Sequence, residues 1–345
     1  MSKIRVLVVD DSPLIRQTFQ KLLEADDNIE VVATAGDAYE ARDAIVKHKP
    51  DVMTLDIEMP RMNGIQFLKK LIPQFPLPVI VCSSLPINTF DALEAGAVDY
   101  VRKPVITSTD SLKKFGEDLV GRVKVAVTAK VIKAGKYVFQ VKERKHEKAP
   151  INVEGKLIAI GGSTGATEAL PVIVSQFDEN TPPCVVVIHM PEGFTNLYAQ
   201  RLGASCPGVK VMEAKSGMYE KKGMVVIPPG NKHMKVFKDS NGYFITCSRG
   251  KKVSGHCPSV DVMFESVASC AKNNAYAAIL TGMGADGAKG LLSIRNSGGF
   301  TVGQDEESCL VYGMPKVAYT YGAVEVQAKL EDIAEVIYNK LRENR

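Results

Sequence analysis

Between residues 4 and 104 the chain passes five times through a short apolar run, "IRVLVV", "IEVVATA", "DVMTL", "PVIVCSS" and "DYVRKP", with amphipathic stretches between the runs. Short runs of this kind, alternating with helix-periodic segments, are strands of a parallel sheet covered by helices on both faces. In such sheets the chemistry gathers at the carboxyl ends of the strands. The first run ends at Asp10 and Asp11, the third at Asp56, the fourth at Ser83 and Ser84, and the fifth at Lys103. Three carboxylates with no histidine or thiolate make a hard oxygen site suited to Mg²⁺, and a nearby lysine and hydroxyl suit a phosphoryl group. One such acid alone is equally a helix cap or a surface charge. Three acids, a hydroxyl and a lysine together at strand ends are harder to explain that way.

A chain of 345 residues is long enough for two domains, each with its own core. It enters an apolar strand at once, without the longer apolar core of a signal peptide, and no segment approaches the length of a membrane span. Seven cysteines without a C-x-x-C pair suit neither a zinc site nor a disulfide framework, so a cytoplasmic protein with reduced thiols and no membrane insertion is expected. Charge marks a boundary. Residues 121–156 carry 10 Lys/Arg against 3 Asp/Glu, while the blocks on either side are close to balanced. So short a basic stretch reads as a solvated connector, and no basic recognition helix points to nucleic acid.

The segments "VLVVDDSPLIR", "DVMTLDIEMPRMNG" and "DYVRKP" resemble the receiver domain of two-component response regulators, over about residues 1–122. The resemblance implies a flavodoxin-like fold in which Asp10 and Asp11 hold Mg²⁺ together with Asp56, and Asp56 accepts a phosphoryl group. It further implies that Ser83 and Lys103 bind phosphate oxygens and that Tyr100 is the switch aromatic, with a histidine kinase as phosphodonor.

A second glycine-rich strand end lies at "LIAIGGSTGATEAL", residues 157–170. It lacks both the G-x-G-x-x-G of a dinucleotide site and the Gly-Lys-Ser/Thr ending of a phosphate loop, but Gly161-Gly162-Ser163-Thr164-Gly165 fits the nucleophile elbow G-x-S-x-G. The competing reading is a tight strand-to-helix turn whose serine caps the helix. A nucleophile needs a base. Of five histidines, His48 falls in the first block and His146 in the connector. His189 ends the apolar run "PPCVVVIHMP" and so sits at a strand end like Ser163. His233 reads as a surface or structural residue, and His256 lies in a loop before a helix, within reach of a substrate. For a carboxylate, "AAILTGMGADG" supplies Asp286 in a glycine-rich loop after a buried strand; Asp261 lacks that setting. Ser163, His189 and Asp286 form the candidate triad, with backbone N–H groups of Thr164 and Met283 as candidate oxyanion donors.

The motifs "IGGSTGATEAL", "VIHMPEGFT", "HCPSVDVMF", "ILTGMGADGAKGL" and "ESCLVYGMPKVA" are similar to the catalytic domain of the chemotaxis protein-glutamate methylesterases, over about residues 154–342. The expected architecture is therefore α/β throughout: a five-stranded receiver over 1–122, a basic linker over 123–153, and a doubly wound, mostly parallel hydrolase-type domain over 154–345. The resemblance implies hydrolysis of glutamate γ-methyl esters on chemotaxis receptors, deamidation of receptor glutamines, and no cofactor for the hydrolysis itself. The alternative is a response regulator whose output domain binds DNA or protein and has no enzymatic activity.

Overall fold

A computed structural model describes residues 3–84, 87–103, 108–131 and 152–343, and the chain divides into two compact units, Met1–Val138 and Phe139–Arg345. In the first unit β1 (Ile4–Val9), α1 (Pro13–Leu23), β2 (Ile29–Ala35), α2 (Ala38–His48), β3 (Val52–Asp56), α3 (Gly64–Leu71), β4 (Val79–Ser83), α4 (Ile87–Glu94), β5 (Asp99–Arg102) and α5 (Thr109–Ala126) alternate strictly. The strands form one parallel sheet in the order β2-β1-β3-β4-β5. All residues of β3 and β4 are buried, which is why those runs carry no polar alternation. Polar caps start three of these helices: Asp37 accepts from the backbone N–H groups of Tyr39 and Glu40, Asn63 from that of Gln66, and Ser108 and Ser111 form a reciprocal capping box at α5. Gly64 is obligatory for space, because a Cβ there would lie 2.3 Å from the carbonyl oxygen of Asp56. α5 continues to Ala126, past the expected limit at residue 122. Residues 132–151, most of the expected linker, lie outside the described residues.

The second unit contains β6 (Leu157–Gly162), α6 (Ala166–Val174), β7 (Cys184–Ile188), α7 (Thr195–Ser205), β8 (Lys210–Glu213), β9 (Met224–Ile227), β10 (His233–Asp239), β11 (Gly242–Ser248), α8 (Val260–Ala271), β12 (Ala275–Ile279), α9 (Ala288–Asn296), β13 (Phe300–Gln304), α10 (Met314–Thr320), β14 (Val326–Ala328) and α11 (Ile333–Glu343). Seven strands form a sheet in the order β14-β13-β12-β6-β7-β9-β8, and every pair in it is parallel. β10 and β11 make a separate antiparallel hairpin against which α8 packs. Val260, Met263, Phe264 and Val267 of α8 join Met234, Val236 and Ile245 of the hairpin and Val187 and Val226 of the sheet in one buried cluster. Each such side chain contributes about 1.5–3 kcal/mol on burial.

Both sheets are wound from a strand near the middle. β1 lies between β2 and β3, and β6 lies between β12 and β7, so in each sheet the chain leaves its first strand for opposite sides. A crevice opens at the carboxyl ends where the winding reverses. Asp10 and Asp56 end the two strands at one reversal; Ser163, His189 and Asp286 follow the three adjacent strands β6, β7 and β12 at the other.

Candidate active site

The glycines of the elbow are required one by one. A Cβ on Gly161 would lie 2.2 Å from Cγ1 of Val260, one on Gly162 2.6 Å from Cβ of Ala166, and one on Gly165 2.8 Å from Cβ of Leu310. Gly165 also has a φ of 82°, in the left-handed region where a side chain is strained. The turn is thus compressed between the end of β6, the start of α6 and two other segments. The Ser163 N–H donates to the Thr281 carbonyl at 3.0 Å and the Leu280 N–H to the Gly161 carbonyl at 2.8 Å, tying the elbow to the loop after β12. Gly282 passes so close that a Cβ there would be 2.7 Å from Ser163 Cβ.

The three side chains meet in a line. His189 Nδ1 is 3.0 Å from Ser163 Oγ, and His189 Nε2 is 2.7 Å from Asp286 Oδ2. With the aspartate ionised, Nε2–H donates to it, and Nδ1 is left to accept from the serine hydroxyl. The ring nitrogens therefore face the serine and the carboxylate in the opposite sense to the chymotrypsin arrangement. Asp286 is 1% exposed and accepts three further bonds: from Ser259 Oγ at 2.7 Å, Val260 N–H at 2.8 Å and Asp261 N–H at 3.0 Å. Burial pushes its carboxyl up, but His189 and these donors at the start of α8 outweigh that and hold it below the ordinary carboxylate range. Burial and the charge of Asp286 raise its neighbour Asp261 instead. That carboxylate is structural: it accepts the Gly290 N–H at 2.8 Å and the Ser254 hydroxyl at 3.2 Å.

Other sequence candidates separate clearly. His48 ends α2 in the other unit. His146 lies outside the described residues. His233 is buried, accepts the Ser259 N–H at 3.2 Å and lies 2.8 Å from the Lys251 carbonyl, so it fastens a loop and does not face Ser163. His256 is at the site, its ring stacked on that of His189 with centroids 3.6 Å apart and planes 6° from parallel. Sequence reading missed Ser259 altogether. Its only linear signal was a serine after a proline at a helix start, which marks a cap but not its second bond to Asp286. Thr164 and Met283 flank the serine from the elbow and from the loop after Gly282, and Met283 is 44% exposed.

In the first unit Lys103 Nζ lies 2.7 Å from Asp10 Oδ2 and 2.8 Å from Asp56 Oδ2, and oxygens of Asp10, Asp11 and Asp56 come within 4.8 Å of one another. Asp10 and Asp56 are buried and Asp11 is exposed. Burial raises the Asp56 carboxyl, helped by the charge of Asp10, and Lys103 only partly offsets this. The lysine is held above its ordinary range, since its two carboxylate partners outweigh the opposing effect of burial. Ser83 is buried at the end of β4, whereas Ser84 is exposed, and Tyr100 is buried against Phe90 with ring centroids 6.4 Å apart. Three hard oxygens with one shared lysine leave a net negative site, which fits a divalent cation such as Mg²⁺.

Residues 6–114 match the family described as the response regulator receiver domain, and residues 158–337 match that described as CheB methylesterase. A protein of Syntrophomonas wolfei named protein-glutamate methylesterase/protein-glutamine glutaminase 2 is 48% identical over 99% of both chains. One of Syntrophotalea carbinolica, named protein-glutamate methylesterase/protein-glutamine glutaminase, is also 48% identical over 99% of both. The crystal structure of the Thermotoga maritima CheB methylesterase catalytic domain is 35% identical and superposes with a TM-score of 0.53, covering 55% of this chain and all of that one. No helix among the described residues is long and apolar enough to cross a membrane. With its carboxyl-terminal match spanning more than half its length and relatives alike from end to end, this chain belongs to the CheB methylesterase family and carries a response regulator receiver domain ahead of the methylesterase domain.

Proposed function

We propose that the chain is a phosphorylation-activated serine hydrolase that removes methyl groups from glutamate γ-esters of chemotaxis receptors and deamidates receptor glutamines. The observation that carries this reading is the Ser163–His189–Asp286 line at the carboxyl ends of three adjacent strands. Ser163 Oγ gives its proton to His189 Nδ1 and attacks the ester carbonyl, while Asp286 holds the Nε2–H and stabilises the imidazolium. The tetrahedral oxyanion is met by the backbone N–H groups of Thr164 and Met283, with the start of α6 adding its positive end. The proton on Nδ1 then passes to the departing methoxide oxygen, methanol leaves, and the serine ester remains. Water, deprotonated at Nδ1, attacks that ester and releases the glutamate carboxyl and Ser163. A carboxamide follows the same route with ammonia leaving.

In the receiver, which we place at about residues 1–122, Asp56 accepts the phosphoryl group from the histidine kinase of the chemotaxis pathway. Asp10, Asp11 and Asp56 would hold Mg²⁺, which neutralises phosphoryl oxygens. Lys103 and Ser83 bind those oxygens, and Tyr100 repacks in response. The residues from 123 to 153 link this domain to the hydrolase, which begins near residue 154. The protein acts in the cytoplasm, where the kinase and the modified receptor segments meet it. Release of methanol from a methylated receptor fragment by purified protein tests the reading. A protein that is phosphorylated but releases neither methanol nor ammonia would support the non-enzymatic alternative.

A further inference from the structure

The ring of His256 lies flat against that of His189, yet the proposed reaction gives it no part. Its ring lies 3.6 Å from that of His189 and 6° from parallel, so it covers one face of the base, whose side chain is only 7% exposed. The contact is not a chance lean of a surface side chain. Val253 and His256 exchange backbone hydrogen bonds of 3.0 and 2.9 Å across a tight turn in which Ser254 and Gly255 have φ values of 52° and 86°. The Ser254 hydroxyl donates to Asp261 at 3.2 Å. His233 fastens both ends of the same loop, at Lys251 and at Ser259, and a Cβ on Gly250 would meet its ring at 2.9 Å. The loop thus presents His256 from a braced turn, and the same α8 start that braces it also binds Asp286.

We propose that His256 is a positioning residue for the hydrolysis: its stacked ring blocks rotation of the His189 imidazole about its Cβ–Cγ bond and so keeps Nδ1 aimed at the reacting oxygen. The inference rests on the triad reading above. Two hydrogen bonds hold the imidazole in the resting enzyme, but one of them disappears during turnover. Once Ser163 is acylated it no longer offers a hydroxyl, and the bond to Asp286 at Nε2 and the stack against His256 remain to fix the ring while water enters. Half a turn would replace Nδ1 by a carbon and leave the water without a base. A flat ring at position 256 is what the role demands, and an imidazole is one of several that suffice.

The test compares wild type, His256→Ala and His256→Phe by two readouts: the rate at which a fluorophosphonate labels Ser163, and kcat and KM for methanol release. Labelling needs the base but no receptor. His256→Ala is expected to lower kcat on the order of a hundredfold, the usual cost of a misplaced reacting group. Labelling should slow in the same direction, and KM should change less than about threefold, as for an interaction made after binding. His256→Phe should recover most of the lost kcat, and it also decides the matter if the alanine variant melts early. Wild-type rates in His256→Ala, a loss confined to KM, or a phenylalanine variant no better than alanine would each overturn the proposal. A wild type that labels at Ser163 but releases no methanol would refute the substrate reading alone and leave the labelling comparison to decide. A wild type that does not label would refute the triad and this proposal together.

Discussion

The two strand-end sites use the same position in the same kind of sheet and reach opposite electrostatic solutions. In the first unit like charges converge: Asp10 and Asp56 share Lys103, Asp11 adds a third carboxylate, and burial raises the Asp56 carboxyl. In the second a single carboxylate, Asp286, takes four donors and is held low. The first arrangement carries excess negative charge of the kind a divalent cation would balance. The second is assembled before any substrate arrives, so little reorganisation is needed when charge develops. Under the proposed function, control sits where ligands complete the charge balance, and chemistry where the frame is already assembled.

The sharpest way to break this comparison is Ser163→Ala, which removes the proposed nucleophile and leaves the preassembled frame. Methanol release should fall by about 10⁴-fold or more with melting temperature unchanged. A variant that keeps a tenth of wild-type turnover would place the nucleophile elsewhere. Asp286→Asn should lose less, on the order of a hundredfold or somewhat more, because in the proposed mechanism the carboxylate orients the base and does not bond to substrate. Asp286→Asn equal to wild type would mean that the four-donor carboxylate serves only the fold.

The second unit does hold a strained acid, away from the triad. Glu220 is buried, neither of its oxygens has a hydrogen-bond partner among the described residues, and burial raises its carboxyl to about 8. The folded chain keeps it neutral up to that pH, whereas the unfolded chain ionises it from near 4.5. Its favourable contribution to stability is therefore complete below about pH 4.5, falls as pH rises, and is fully lost above about pH 8. Chemical unfolding of wild type and Glu220→Gln should differ by an amount that grows in the variant's favour across this window, on the order of 5 kcal/mol in all. A difference that does not vary with pH would mean the acid finds a partner in solution. The smallest effect is expected from Gly161→Ala. The added methyl must push Val260 away, which should cost about 1–3 kcal/mol and lower turnover by shifting the α8 start that holds Asp286. An unchanged melting temperature would show that α8 gives way freely.

Much of this was legible in the sequence because the signals were local. Apolar runs ending in acids placed Asp10, Asp11 and Asp56, and G-x-S-x-G placed Ser163. His189 and Asp286 followed from the same rule of strand ends, although 97 residues separate them. What stayed hidden depends on contacts between distant segments. Nothing linear shows that Val260 fills the space left by Gly161, that Ser259 caps α8 and binds Asp286 at once, or that His256 lies flat on His189. The sense in which the ring nitrogens face their partners is likewise a fact of packing. The seven-stranded sheet came out parallel in every pair, and β10 and β11 stand apart as an antiparallel hairpin whose turn at Ser240 and Asn241 separates two runs that mix polar and apolar residues.

The central claim is that phosphorylation of Asp56 governs hydrolysis at Ser163, and methanol release from a methylated receptor fragment by the full-length protein, with and without acetyl phosphate and Mg²⁺, tests it most directly. Wild type should rise on phosphorylation by about 5- to 150-fold, the usual range of coupling between sites. Asp56→Asn should keep the unstimulated rate under both conditions. An equal rise in Asp56→Asn, or a wild-type rate indifferent to the phosphodonor while Asp56 is demonstrably phosphorylated, would contradict the claim.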